Sequence, residues 1–164
     1  MAPAIELRDW RDLSPDQKVQ VAAVQIPAEQ QDFAGTVAQA LELCRTSNPE
    51  HLRGFAVLAD GKTVGFVTLK RPPLSPEWAR ADAVTLHGLQ IDRHYQGLGY
   101  GSAAFRAAIE AARRCWPTAK LLMLSVDAPN WAARALYQKS GMLDDGQDHH
   151  GRIGLERRFS LPFD

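Results

Sequence analysis

Residues 96–102 read QGLGYGS, with Gly97, Gly99 and Gly101 alternating just before an alanine-rich stretch. Glycine at every second position lets a backbone come close to another group. The start of a helix offers unpaired N–H groups and the positive end of the helix dipole. With no side chains at 97, 99 and 101, those N–H groups suit direct contact with an anion such as a diphosphate. Two familiar nucleotide loops do not fit. A Walker loop ends in Gly-Lys-Ser/Thr, and no lysine stands there. A dinucleotide fingerprint has glycine first, third and sixth, but the sixth residue from Gly97 is Ser102, and no early βαβ unit precedes it. The residues leave a ligand-free strand-to-helix turn, or a loop of the pattern Gln/Arg-x-x-Gly-x-Gly/Ala met by Gln96, Gly99 and Gly101. His149 and His150 are the other residues whose types suggest chemistry. Adjacent positions on a strand face opposite ways and no third ligand is near, so no metal is expected.

The elements that must position the loop follow from period and punctuation. IELRDW reads as a first strand, and Ser14 before Pro15 carries helix-start chemistry for SPDQKVQVAAVQI. Pro27 interrupts, and helical spacing resumes with Phe33, Val37, Leu41 and Cys44. RGFAVLADGKTVGFVTLKR is a hairpin signal, with Asp60-Gly61 able to take the positive φ of a tight turn. After the Pro-rich loop PPLSPEWARA comes the strand AVTLHGLQID, whose interior Gly88 marks a bulge or a close approach. A helix follows the glycine loop, with Phe105, Ile109, Ala112 and Trp116 on one stripe and Pro117 at its end. KLLMLSVD is a buried strand, WAARALYQKS a helix closed by Gly141, and MLDDGQDHHGRIGLERRFSL a last pair of strands. The order β-α-α-β-β-β-α-β-α-β-β predicts an α/β domain with a mixed sheet, spanning residues 1–164 as one unit.

Bulk properties narrow the function classes. Lys plus Arg equals Asp plus Glu at 19 each, so net charge supplies no argument for a nucleic-acid partner. A local basic patch for one polyanionic cofactor stays open. No apolar run reaches the roughly 20 residues of a membrane span, so no membrane partner is expected. The start MAPAIELRDWRDLSPDQ lacks a basic region followed by an apolar one. Without such a signal, and with Cys44 and Cys115 far apart and expected reduced, the reading is a cytoplasmic protein.

IDRHYQGLGYGSAAF resembles the acetyl-CoA-binding core of the GNAT acetyltransferase superfamily, and LSVDAPNWAARALYQKSGM resembles its following strand and helix. Loop, asparagine turn and ALYQKSG stand in that superfamily's order, over roughly residues 83–143. The resemblance implies the GNAT N-acyltransferase fold, an α/β fold with a mixed, mostly antiparallel central sheet splayed at the cofactor site and flanked by helices. It implies acetyl-CoA as co-substrate and no metal. Gln96, Gly97, Leu98, Gly99, Tyr100, Gly101 and Ser102 would cradle the diphosphate. Backbone of Leu89, Gln90 and Ile91 would pair with the pantetheine arm like an extra strand, and Asn130, Ala132 and Ala133 would lie beside the cofactor. Bulging near Gly88 would splay the strand and open the slot.

Acetyl transfer to an amine needs the amine deprotonated, an oxyanion stabilised and the leaving thiolate protonated. By resemblance Tyr137 is the general acid; its other reading is a packed helix tyrosine. His87 occupies the place where many relatives carry a glutamate base. A histidine titrates near neutral pH, and ordered water is the rival base. A backbone N–H near Gln90 or Ile91 would hold the oxyanion. VQIPAEQQDFAGTVAQAL, FAVLADGKTVGFVTL and IDRHYQGLGYG are most similar to the bacterial spermine/spermidine (diamine) N-acetyltransferases. That implies a primary amine of a small molecule as acceptor, a polyamine such as spermidine among the candidates, with Glu29, Asp32, Asp144, Asp145 and Asp148 as carboxylates for its charges. Trp10, Trp78 and Phe33 would line the acceptor site or the core. The alternatives are a protein N-terminal or lysine acetyltransferase, and an acyl-CoA-binding module without turnover. Relatives often form dimers, so a homodimer is a further expectation.

Overall fold

The computed structural model describes residues 3–28, 30 and 36–164. Seven strands form one sheet in the order β1-β2-β3-β4-β5-β7-β6. They are β1 (Glu6–Asp9), β2 (Leu52–Ala59), β3 (Lys62–Lys70), β4 (Ala83–Ile91), β5 (Leu121–Asp127), β6 (Leu143–His150) and β7 (Leu155–Pro162). Among the described residues four α-helices accompany them: α1 (Pro15–Ala22), α2 (Val37–Thr46), α3 (Tyr100–Cys115) and α4 (Trp131–Lys139). Among the described residues only β4 and β5 pair in parallel; every other neighbouring pair is antiparallel. This is the expected element order and the expected mixed, mostly antiparallel sheet flanked by helices.

Local chemistry explains the boundaries. Ser14 and Thr36 each accept from the backbone N–H three residues on, and Gln17 and Gln39 reach back, so both α1 and α2 start with a capping box. The second helix therefore begins at Val37 rather than running on from residue 28. Phe33, expected on its apolar stripe, lies outside the described residues, as do Glu29 and Asp32. Asp60 and Gly61 have φ of 51° and 75°, which closes the β2–β3 hairpin with both central residues in the left-handed region.

Helices cover both faces of the sheet. Val67, Leu69, Val84, Leu86, Leu122, Leu124 and Phe159 face α3 and α4, meeting Phe105, Ala108, Ala111 and Ala112. The small alanines let α3 lie close on the strands. On the opposite face Ala56, Leu58 and Phe66 meet Val21 of α1 and Val37 and Cys44 of α2. Gly54 makes that contact possible, since a Cβ there would collide with Cys44 Sγ and Phe66. Both cysteines are free thiols, and burial pushes the Cys44 thiol up to about 12.

Two irregularities prepare a site at the centre of the sheet. Phe66 pairs with Gln90 and Thr68 with His87, so Val67 alone opposes both Gly88 and Leu89. Gly88 takes φ 57° to make this bulge, a conformation glycine adopts at little cost. The β4–β5 ladder then stops after Ala83↔Leu121, Val84↔Leu122 and Thr85↔Met123, although β4 runs on to Ile91 and β5 to Asp127. Past Thr85 the two strands are no longer paired. A slot opens in the middle of the sheet.

Candidate active site

A cavity of about 250 Å³ occupies this slot, with Leu89, Gln90 and Ile91 on one side. Asn130, Ala132, Ala133, Leu136 and Tyr137 of the α4 region form the opposite wall. Gln96, Gly97 and Gly101 line its head, and Ile26 and Gln30 approach from the segment after α1. Because β5 does not pair with it here, β4 presents strand-edge backbone to the slot. Such an edge can accept an extended chain as an added strand.

The loop at the head is shaped by its glycines. Gly97 has φ 77° and Gly99 φ 90°, both in the region that favours glycine. Gly99 is the N-cap of α3 and supplies no side-chain hydrogen bond, so the first N–H groups of this 16-residue helix have no side-chain cap. A Cβ built at Gly97 or Gly101 would meet nothing within 4 Å; both positions open onto the space they line. Uncapped N–H groups, the positive end of a helix dipole and an open approach make a fit for a diphosphate. Of the other loop residues, Leu98 is exposed, Tyr100 packs edge-on against Tyr95 at 5.7 Å, and neither Gly99 nor Ser102 is on the cavity wall. None of these four residues lines the cavity.

α4 starts where Asn130 Oδ1 accepts from Ala133 N–H at 3.3 Å, and it ends with Gly141 at φ 91°. That span carries Tyr137 into the core, where its ring meets Phe105 at 5.0 Å and Phe159 at 6.4 Å. Tyr137 is only 6% exposed, lines the cavity, and its hydroxyl has no hydrogen-bond partner among the described residues. Burial raises its pKa, so the phenol keeps its proton at any working pH. Both readings of this residue meet here, since the ring packs and the hydroxyl stays free.

His87 is placed differently from its expected neighbour. It does not line the cavity. Its side chain shares a face of β4 with Thr85, and its Nε2 sits 2.8 Å from Thr85 Oγ1. Burial, with the Lys70 ammonium adding to it, pushes the imidazole down to about 3. The near-neutral titration that its residue type suggests is therefore corrected, and the ring is neutral throughout the physiological range.

The acidic residues near the C-terminus are already engaged. Arg157 donates to Asp144 at 3.1 and 3.2 Å and to Asp148 at 2.9 Å, while Asp145 holds His149 Nε2 at 2.8 Å. The three carboxylates and His149 all lie on β6, the far edge of the sheet, and Arg157 is on its neighbour β7. Trp78 lies against the Arg158 guanidinium at 5.0 Å and Trp10 under Lys18 at 5.6 Å, both away from the cavity wall. No cluster of three metal-ligating side chains occurs among the described residues, and no helix among them is long and apolar enough to cross a membrane.

Sequence reasoning missed Ile26, Gln30 and Leu136. Leu136 had a signal, standing three and four residues from Ala133 and Ala132 on one helix face. Ile26 and Gln30 had none, because the fold brings their segment to the slot from far along the chain, Gln30 meeting Gln96 across 66 residues.

A bulged strand, a diverging neighbour and a glycine-headed helix thus frame one slot with a phenol on its wall. Residues 7–142 match the model of the acetyltransferase (GNAT) family, and the chain belongs to that family of acetyl-CoA-dependent N-acetyltransferases. No curated relative matches it. Among solved structures, the GNAT domain of S. lividans PAT aligns with TM-score 0.72 at 15% identity, covering 97% of this chain and 90% of that one. Spermidine N-acetyltransferase from Vibrio cholerae, in complex with CoA and spermine, aligns with TM-score 0.72 at 16% identity, covering 96% and 95%. AAC(6')-Ib in complex with paromomycin and acetyl-CoA aligns with TM-score 0.74 at 16% identity, covering 99% and 94%. At these identities the likeness is one of fold.

Proposed function

We propose that this protein acetylates a primary amine of a small molecule by direct attack in a ternary complex, with Tyr137 as the proton donor to the departing thiolate. The observation that carries this reading is the buried, protonated and unpartnered Tyr137 hydroxyl on the wall of a slot headed by uncapped helix N–H groups. When bound, acetyl-CoA supplies the acetyl group as a thioester. Gln96–Ser102 hold its diphosphate through backbone N–H groups, and Leu89–Ile91 offer the strand edge that aligns the arm. An N–H of the same edge, near Gln90 or Ile91, stands ready for a developing oxyanion. Asn130, Ala132 and Ala133 form the opposite wall. His87 enters as a neutral hydrogen-bonding group, and ordered water carries the amine's proton away. An imidazole pushed down to about 3 is a weak base at neutral pH.

A polyamine is the first acceptor to test, on the strength of the sequence resemblance; the β6 carboxylates do not add to it, since Arg157 and His149 already occupy them. The test is release of free thiol from acetyl-CoA over a panel of spermidine, spermine, an aminoglycoside and a peptide with a free N-terminus and a lysine. We expect thiol release with at least one small amine and none with the peptide. Release with the peptide alone would replace the small-molecule reading. Tight coenzyme A binding without release for any amine would leave only an acyl-CoA-binding module.

A further inference from the structure

The turn that joins β4 to α3 is tied at both ends to the segment that follows α1. At one end Gln25 N–H donates to Asp92 Oδ2 at 2.9 Å and Arg93 N–H donates to Gln25 O at 2.7 Å. At the other end two side-chain amides face each other. Gln96 Nε2 donates to Gln30 Oε1 at 3.0 Å, and Gln30 Nε2 donates to Gln96 Oε1 at 3.2 Å. Gln96 Nε2 also donates to Ile91 O at 2.8 Å. Both amide hydrogens and the amide oxygen of Gln96 are thus used within the protein, and none is left for a phosphate. Gln30 is itself held in place, since its N–H donates to Pro27 O at 2.9 Å.

Between the two ties lie Ile26, Pro27 and Ala28. Ile26 is a wall of the cofactor slot and also of a second cavity of about 440 Å³, lined by Pro27, Ala28, Thr36, Val37, Gln90 and Arg93 among others. The two spaces share Ile26 and Gln90. A reciprocal amide pair has a single register for its two hydrogen bonds, so a shift of Gln96 must move Gln30 or break both bonds.

We propose that Gln30 and Gln96 are positioning residues: they form a clasp through which filling of the cofactor slot fixes the wall of the adjoining cavity, where the acceptor amine enters. This rests on the cofactor reading of the slot and extends it: a filled slot holds Gln96 in register, and through the paired amides Gln30 and the wall at Ile26 and Ala28 are held with it.

Hydrogen exchange of the whole protein, with and without coenzyme A, tests the clasp. In the wild type, coenzyme A should slow exchange at 97–102 and also at Ile26 and Ala28, the latter by about tenfold, the scale of one well-formed hydrogen-bonded contact. In Gln30→Leu the slowing at 97–102 should remain and that at Ile26 and Ala28 should vanish. Gln30→Glu keeps an oxygen for Gln96 Nε2 and should retain part of it. Slowing confined to 97–102 in the wild type overturns the clasp and spares the cofactor reading. Ligand-induced slowing that persists at Ile26 and Ala28 in Gln30→Leu also overturns it, because the glutamine would then be merely structural. Absence of any slowing at 97–102 overturns the cofactor reading, and the clasp with it.

Discussion

The two sides of the slot are built by different means. On the side proposed for the cofactor, Gly97 and Gly101 and the unpaired edge of β4 expose backbone to the slot. On the side proposed for the acceptor, the wall is gathered from segments apart in the chain: Ile26, Pro27 and Ala28 after α1, Thr36 and Val37 at the start of α2, and Arg93 past β4. A backbone site depends on local conformation, which a few glycines set within a short stretch. A side-chain site depends on which segments the fold brings together. The first can serve one invariant carrier, whereas the second can vary with the acceptor while the fold stays constant.

The contrast breaks most sharply at Gly101. It is helical, without a positive φ, and a Cβ there meets no atom of the protein. Gly101→Val should therefore leave the fold intact, with Tm unchanged or raised, because glycine is a poor helix residue. Coenzyme A affinity should fall by about 10³-fold as two or more charge-assisted contacts are blocked. Calorimetric titration beside thermal melting checks both, and an unchanged affinity would move the diphosphate elsewhere. Next comes the side chain that the cofactor half does require. Tyr137→Phe should lower kcat by about 10²-fold with coenzyme A affinity held, as for loss of a general acid. Equal turnover would reduce Tyr137 to packing.

His87 gives a smaller, pH-dependent effect. Its folded pKa is depressed to about 3, so between there and its ordinary value of 6.5 the unfolded chain binds a proton that the folded chain does not. Stability from this group is present above pH 6.5 and is lost as pH falls towards 3. His87→Gln should flatten the fall in denaturation midpoint across that window. Any acidic limb of kcat/KM near neutral pH should survive the substitution. Disappearance of that limb would restore His87 as the base. The smallest effect belongs to the far edge of the sheet. Asp148→Asn should leave the KM of spermidine within about twofold, since an exposed pair with Arg157 is all that it removes. A larger rise would extend the acceptor side to β6.

Much of this was legible in the residues because its causes are local. Asp60-Gly61 specifies its own hairpin, Ser14-Pro15 its helix start, and Gly88 its bulge through a φ that other residues resist. The alternating Gly97, Gly99 and Gly101 announced a close approach, and two of the three open onto the slot. At residue 87 the residue type carries a near-neutral pKa, while burial and then Lys70 push it down in the folded chain. Asp144, Asp145 and Asp148 looked like free charge in the sequence; their partners Arg157 and His149 appear only once β6 lies against β7 and its own strand is formed.

By itself, then, the sequence determined the order of elements, the bulge and the glycine-headed helix, since each rests on φ preferences and periodicities within a dozen residues. The parting of β4 from β5, the burial that keeps Tyr137 protonated and His87 neutral, and the clasp of Gln30 on Gln96 were decided by tertiary structure. Each of these depends on desolvation or on a contact between segments far apart in the chain, and neither quantity exists until the chain has folded.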